Sequence, residues 1–451
     1  MKTIFLSSFH GIISRNILST DALGKLTTHN DIRVVIFVIK DKKDFFKKHF
    51  EQNNVIIEPI PFGPPSTNSK FSLIMKRMAK FGLDSASTRI ERRAKWKQEG
   101  KFLYFLNTSV LAWTMSHLSI ARRAMRFLDY HLAVKDRYTS YIKKYQPDLI
   151  VVTDVQNERD VELMHAARYS QCPLIGMVRS WDNLTLHGLL RVLPDTLLVT
   201  SPRVRDLAIT LHDMYPDRVE IIGIPHYDNY LRVQATEKKE FLERMGFNEN
   251  KKTIFYTPIS DYYIAKNDTD PYVLSLLEHL PLQIIVRFPP SLEVKGFEGH
   301  VPPENVFFDR PDVRFKEGGL NPEDDRNLMH GLAFSDIIVC GPSTIALDAM
   351  LFDKPTILIN FHPKKLSYLE SIARRYDYDH FIFAIKAGAC KVAHSKEELF
   401  KYIDEYLTYP SRDSEGRQRL RNAYIGPCDG KSGARMANVV LRQIRESHVV
   451  Q

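Results

Sequence analysis

The segment Asp336–Phe361, DIIVCGPSTIALDAMLFDKPTILINF, holds the clearest chemical pattern in the chain. An apolar run over 337–340 ends in Gly341-Pro342-Ser343-Thr344. A helix-like stretch carrying Asp348 follows, and a second apolar run begins at Thr356. The pattern predicts strand, tight turn, helix and strand, the unit that builds a parallel sheet. It sets Gly341, Ser343 and Thr344 at a helix N-terminus, where backbone N–H groups and the dipole favour phosphate. Asp348 stands four residues past Thr344, one turn along the same face. Small polar residues for phosphates and a carboxylate for ribose hydroxyls suit a nucleoside diphosphate. Arg287, at the end of another predicted strand, would meet the charge of a departing diphosphate, usually the largest catalytic contribution. Ser291 just beyond it completes this set; Thr257, at a third strand end, is counted only as a further cleft residue. The plain alternatives are a surface arginine at Arg287 and a helix-surface acid at Asp348, although Ala346, Leu347, Ala349 and Met350 argue against full exposure of the latter.

Transfer to a hydroxyl also needs a base. Three predicted strand ends in the first half offer one: His10 in FHG, Asp154 closing DLIVVTD, and Asp182 in RSWDNLT. A lone histidine is often structural and either aspartate can cap a helix, so the base stays unassigned among the three. Arg179, Trp181 and Asn183 lie beside Asp182 and are counted as further cleft residues. The acidic pair Asp377-Tyr378-Asp379 sits in a Tyr/Arg-rich helix end rather than after a strand, and is expected to be a solvated terminus. No metal and no cofactor are expected.

These residues need a large scaffold, and 451 residues imply two or three domains. With 44% apolar and 26% charged residues the composition is that of a soluble globular protein. Cys172, Cys340, Cys390 and Cys428 are scattered without a C-x-x-C, which predicts reduced, mostly buried thiols and a cytoplasmic setting. The longest apolar-leaning stretch, 102–120, is broken by polar residues and falls short of a membrane span. The N-terminus reads as a buried strand rather than a signal peptide. Charge is uneven: residues 70–144 carry 17 Lys/Arg against 5 Asp/Glu, although the whole chain is only +9. Solvated helix faces are one reading of this patch; attraction to an anionic membrane surface or acceptor is the other. No nucleic-acid-binding module accompanies it.

Strands are expected at 3–6, 34–39, 55–60, 149–153, 174–177, 196–200 and 219–222, with a helical insertion over about 69–145. The second half repeats the pattern at 253–256, 283–286, 337–340 and 356–359, then ends in helices at 396–406 and 432–445. The division falls at Gly223-Ile224-Pro225, giving domains 1–223 and 224–451. Two such α/β halves bind ligands at the carboxyl ends of their sheets.

Four segments carry a family resemblance. VEIIGIPHYD (219–228) is similar to an interdomain V-x-x-x-G-x-P-x-x-D segment. IVRFPPS (285–291) resembles an R-x-H-P-S strand end, with Pro289 in place of His. Gly341–Thr344 with Asp348 resembles a donor loop and its acidic partner, usually Glu. DGKS (429–432) with Arg435 resembles the D-G-K-[AS]-S-x-R ending before a last helix. In order and spacing these resemble GT-B glycosyltransferases, whose two-Rossmann fold is shared with UDP-N-acetylglucosamine 2-epimerases. Within that group the likeness is to CDP-glycerol glycerophosphotransferase-like and bacterial surface-carbohydrate enzymes, in which S-W-D-N-x-T segments also occur. The resemblance implies two parallel Rossmann-like sheets facing a central cleft, an acceptor half and a nucleotide-donor half. It implies transfer of a glycosyl or polyol-phosphate group from a nucleotide-activated donor to a surface-glycan or lipid-linked acceptor, without a metal. A sugar-nucleotide 2-epimerase and a non-catalytic nucleotide- or glycan-binding relative are the alternatives.

Overall fold

The computed structural model describes residues 1–61, 70–133, 136–261, 263–264, 267–290, 294–311 and 321–446. Strands form where β-branched and aromatic residues run unbroken, as in IRVVIFVI, because a parallel strand is covered on both faces. In the first half these are β1 (Lys2–Ser8), β2 (Ile32–Ile39), β3 (Val55–Ile60), β4 (Leu149–Val152), β5 (Leu174–Met177), β6 (Thr196–Val199) and β7 (Val219–Ile221). All pair in parallel in the order β3-β2-β1-β4-β5-β6-β7. In the second half β8 (Thr253–Thr257), β9 (Gln283–Arg287), β10 (Val306–Asp309), β11 (Ile337–Cys340), β12 (Thr356–Ile359) and β13 (Lys391–Ala393) form a parallel sheet ordered β10-β9-β8-β11-β12-β13. Every expected strand is present; β10 and β13 were not expected.

Each sheet reverses its winding once. β1 lies between β2 and β4, and β8 between β9 and β11. At these switch points successive connections leave in opposite directions and open a space at the carboxyl ends of the two central strands. The registers bring Leu6 opposite Val151 in the first sheet and Thr257 opposite Cys340 in the second.

The two compact units differ from the expected domains at the C-terminus. Residues 1–228 and 426–446 form one unit, and residues 229–311 and 321–425 the other. The final helix, Ser432–Glu446, expected with the second half, instead sends Met436, Ala437 and Val440 into the core made by Leu6, Val34, Ile36 and Val151. Its start is capped from far away: the Asp228 carboxylate accepts the N–H groups of Ser432 (3.0 Å) and Gly433 (2.8 Å). Such capping is worth about 1 kcal/mol. Arg435 pairs with Asp429 at 2.9 Å and donates to the Ile222 carbonyl. Gly223 sits at φ +83° with the Ser432 hydroxyl against it, so a side chain has neither room nor a relaxed backbone there. The 219–228 and 429–435 segments therefore clasp one another.

The insertion comprises helices Lys70–Gly82, Ala86–Glu99, Phe102–His117, Ser119–Leu132 and Asp136–Tyr145. Met75, Ala79, Leu83, Met115 and Met125 give it a small core that also takes in Leu189. None of the four cysteines forms a disulfide, and three of them are buried.

Candidate functional sites

In the first unit, the ends of β1 and β4 are locked together before the chain turns away. The Ser7 hydroxyl accepts the Thr153 N–H (2.9 Å), and the Thr153 hydroxyl donates to the Ser7 carbonyl (3.0 Å). One residue on, Asp154 is buried with Arg179 Nε donating to it at 2.8 Å, the Gln156 N–H at 3.1 Å and Asn183 Nδ2 at 3.4 Å. His10, half-buried after β1, feels both members of the Asp154–Arg179 pair. Burial, then the Arg179 charge, lower its pKa to about 4, against the opposing pull of Asp154. The imidazole is therefore neutral at physiological pH. Its Nδ1 takes only a long contact, 3.4 Å, from the Ile12 N–H.

Of the residues expected here, His10, Asp154, Arg179 and Asn183 converge. Asn183 is fully buried with Oδ1 unpartnered. Asp182 stands at the head of the short helix Asn183–Leu186, but its side chain makes no capping bond; it faces His187 at 3.7 Å. Trp181 is buried beside it. The sequence missed Asp160, in the helix following β4. It is buried and accepts from the Ser7 hydroxyl, and burial followed by the Asp154 charge pushes its pKa well up, against the pull of that bond. Nothing in ERDVE separates it from ordinary acids of a first helical turn. The insertion is tied to this end of the sheet as well. Ser85 Oγ donates to the Thr185 carbonyl at 2.5 Å, and Leu189 N–H to the Ala79 carbonyl at 2.9 Å.

In the second unit the loop after β8 is shaped by Asp270. This fully buried carboxylate accepts from the Tyr256 hydroxyl (2.8 Å), Ile259 N–H (2.8 Å), Ser260 N–H (3.0 Å) and Asn267 Nδ2 (2.6 Å). Burial raises its pKa while these bonds oppose the rise. The loop is pulled tight enough to hold Ser260 at φ +80°, an unusual conformation for a residue other than glycine. Two buried hydroxyls, Thr257 Oγ1 and Ser260 Oγ, are left without a hydrogen-bond partner. An unpaired buried hydroxyl costs about 1–3 kcal/mol, so the loop stores a capacity to bind something polar.

Across the switch point, Gly341 lies under Ile259, Ser343 is half-buried and Thr344 is exposed. The expected helix is a single turn, Ile345–Asp348, running into a 3₁₀ turn over Ala349–Phe352, so little macrodipole backs this loop. Asp348 is half-buried on it. Arg287 differs more sharply from expectation. It is buried, with Nη1 on Asp309 Oδ2 at 2.7 Å and Nη2 donating to the Asp324 carbonyl at 3.1 Å. It fastens β9 to β10 and does not stand free to meet phosphate. Ser291 lies outside the described residues. His362, beyond β12, went unnoticed in the sequence; its Nδ1 meets Thr269 Oγ1 at 2.7 Å, and burial lowers its pKa. Asp377 is exposed and accepts from the Tyr368 hydroxyl, and no group of three potential metal ligands occurs among the described residues.

The chain matches no protein-family model and no curated protein. Solved structures do match over nearly its whole length. UDP-GlcNAc 2-epimerase from Neisseria meningitidis, bound to UDP-GlcNAc, superposes with TM-score 0.56 at 14% identity, covering 98% of this chain and 100% of that one. The S. aureus MnaA–UDP co-structure gives 0.52 at 13% identity, covering 99% and 97%. The wall teichoic acid polymerase TagF, soaked with CDPG, gives 0.51 at 10% identity, covering 99% and 89%. The chain thus has a GT-B-like α/β fold with two Rossmann-like units.

Proposed function

We propose that this protein is a nucleotide-sugar-dependent transferase. It moves a glycosyl or polyol-phosphate group from a nucleotide-activated donor to a glycan or lipid-linked acceptor. The observation that carries the reading is the pair of buried, unpartnered hydroxyls, Thr257 and Ser260, at the β8/β11 switch point. A diphosphate accepts hydrogen bonds from both and from Ser343 and Thr344 across the switch, while Asp348 takes ribose hydroxyls. Relatives in fold whose structures hold UDP-GlcNAc, UDP and CDPG support a nucleotide ligand.

In this reading the bond from the transferred group to the leaving phosphate oxygen breaks, and the acceptor oxygen forms the new one. The acceptor's proton goes to His10, which is neutral and whose Nδ1 gives up only a 3.4 Å contact. Asp154 is the less suitable base because Arg179, Gln156 and Asn183 occupy its oxygens. Its charge, shared with Arg179, steadies the imidazolium once formed. A resting pKa near 4 makes His10 a weak base.

The test is turnover of UDP- and CDP-activated donors by wild type and His10→Gln. General-base catalysis is worth roughly 100–10,000-fold, so the variant should lose about that much kcat and keep nucleotide affinity. Equal kcat in both proteins removes His10 from the reaction. Conversion of donor with no acceptor present identifies an epimerase instead.

A further inference from the structure

Of the exposed large apolar residues among those described, most fall in the helical insertion. On helix Phe102–His117, Leu103, Leu106, Val110 and Trp113 recur at three- and four-residue spacing on the outward side, opposite buried Thr108, Ala112 and Met115. Leu103 is 72% and Trp113 58% exposed. The neighbouring helix Ser119–Leu132 adds Ile120, Phe127 and Leu128 on its own open side. Monomeric proteins rarely expose this many large apolar side chains on two helices packed together without something to cover them.

The charge around the stripe says what that is. Helix Phe102–His117 carries no acidic residue, and Arg77, Arg93, Lys97 and Arg123 are exposed on the same five-helix insertion. Exposed Glu99 pairs with Lys101. Arg122 and Arg126, which the sequence alone adds to this patch, are spent inward on Asp213 at 2.6 and 2.7 Å. A second copy of the chain, docked symmetrically, would bring the same basic flanks together. An anionic bilayer offers hydrocarbon for the stripe and phosphates for its rim, and that combination defines an interfacial helix pair.

We infer that helices Phe102–His117 and Ser119–Leu132 form a membrane-docking surface that seats the protein on anionic lipid. No helix among the described residues is long and apolar enough to cross a membrane, so the contact is peripheral. It rests on surface chemistry alone and holds whether or not the proposed transfer reaction is correct.

The full chain is mixed with vesicles rich in phosphatidylglycerol or made of phosphatidylcholine only, and sedimented at low and high salt. Binding to the anionic vesicles is expected, weakened but not abolished by salt because part of it is apolar. Leu103→Asp with Trp113→Asp should weaken it about tenfold or more, with an unchanged unfolding midpoint since both side chains are exposed. Bromine-labelled lipid should quench wild-type fluorescence and leave a variant carrying both Trp113→Phe and Trp96→Phe unquenched, Trp181 being buried and Trp96 only half-buried against Phe102 and Phe105. No sedimentation at low salt, or equal sedimentation of the double variant, overturns the inference. So does a dimer in solution that the double variant converts to monomer.

Discussion

Ile259 rests directly over Gly341, so the loops that follow β8 and β11 touch where any larger residue at 341 would place its Cβ. The glycine of the GPST turn is required by this close approach rather than by a left-handed backbone. Gly341→Ala should therefore push the Ile259–Ser260 loop aside and weaken nucleotide binding by about tenfold, with about 1–3 kcal/mol of destabilisation from overpacking. Ile259→Ala in the same chain frees the space and should restore a large part of both. A double variant no better than Gly341→Ala would show that the contact does not set the loop.

Arg287 gives a different signature. Removing one member of a buried ion pair strands the other, at a cost of about 3–5 kcal/mol. Arg287→Ala should lose stability on that scale through unpaired Asp309, and Arg287→Met with Asp309→Leu should recover much of it. Denaturant unfolding of the three proteins checks this. An Arg287→Ala protein as stable as wild type, yet blind to nucleotide, would return Arg287 to the phosphate site.

His212 makes the fold acid-sensitive. Its Nε2–H donates to the Leu184 carbonyl (2.8 Å) and its Nδ1 accepts the Leu190 N–H (3.2 Å), so the neutral ring is the one that fits. Burial lowers its pKa to about 4, from 6.5 in the unfolded chain. Between those values the unfolded state holds more protons, so this contribution is complete above pH 6.5 and lost as pH falls towards 4. The slope approaches about 1.4 kcal/mol per pH unit. His212→Asn should flatten the dependence of stability on pH between 6.5 and 4. Its bonds fix Leu184 and Leu190 on either side of His187, so acid should loosen the His10–Asp154 end of the sheet first, readable by amide exchange.

The strands and the strand-end residues were legible because parallel strands announce themselves as apolar runs. His10, Asp154, Thr257 and Gly341 each follow such a run directly. What escaped was non-local. Asp309, the buried carboxylate that Arg287 pairs with, lies on β10, a four-residue strand set among prolines and charged residues. β13 is only Lys391–Ala393, and its Lys391 is half-buried. The return of the final helix depends on Asp228 reaching Ser432, 204 residues away. Asp160 looks like any helix-start acid until Ser7 and Asp154 are seen beside it.

The most direct test of the account is the shift in unfolding temperature caused by UDP or CDP in wild type, Thr257→Val and Ser260→Ala. A ligand at about one hundred times its Kd stabilises the native state by about 2.7 kcal/mol, which is readily measured. Because each hydroxyl is buried without a partner, both variants should be at least as stable as wild type without nucleotide. Both should lose most of the nucleotide-induced shift. Variants that respond to nucleotide as fully as wild type would contradict a donor site at the β8/β11 switch point.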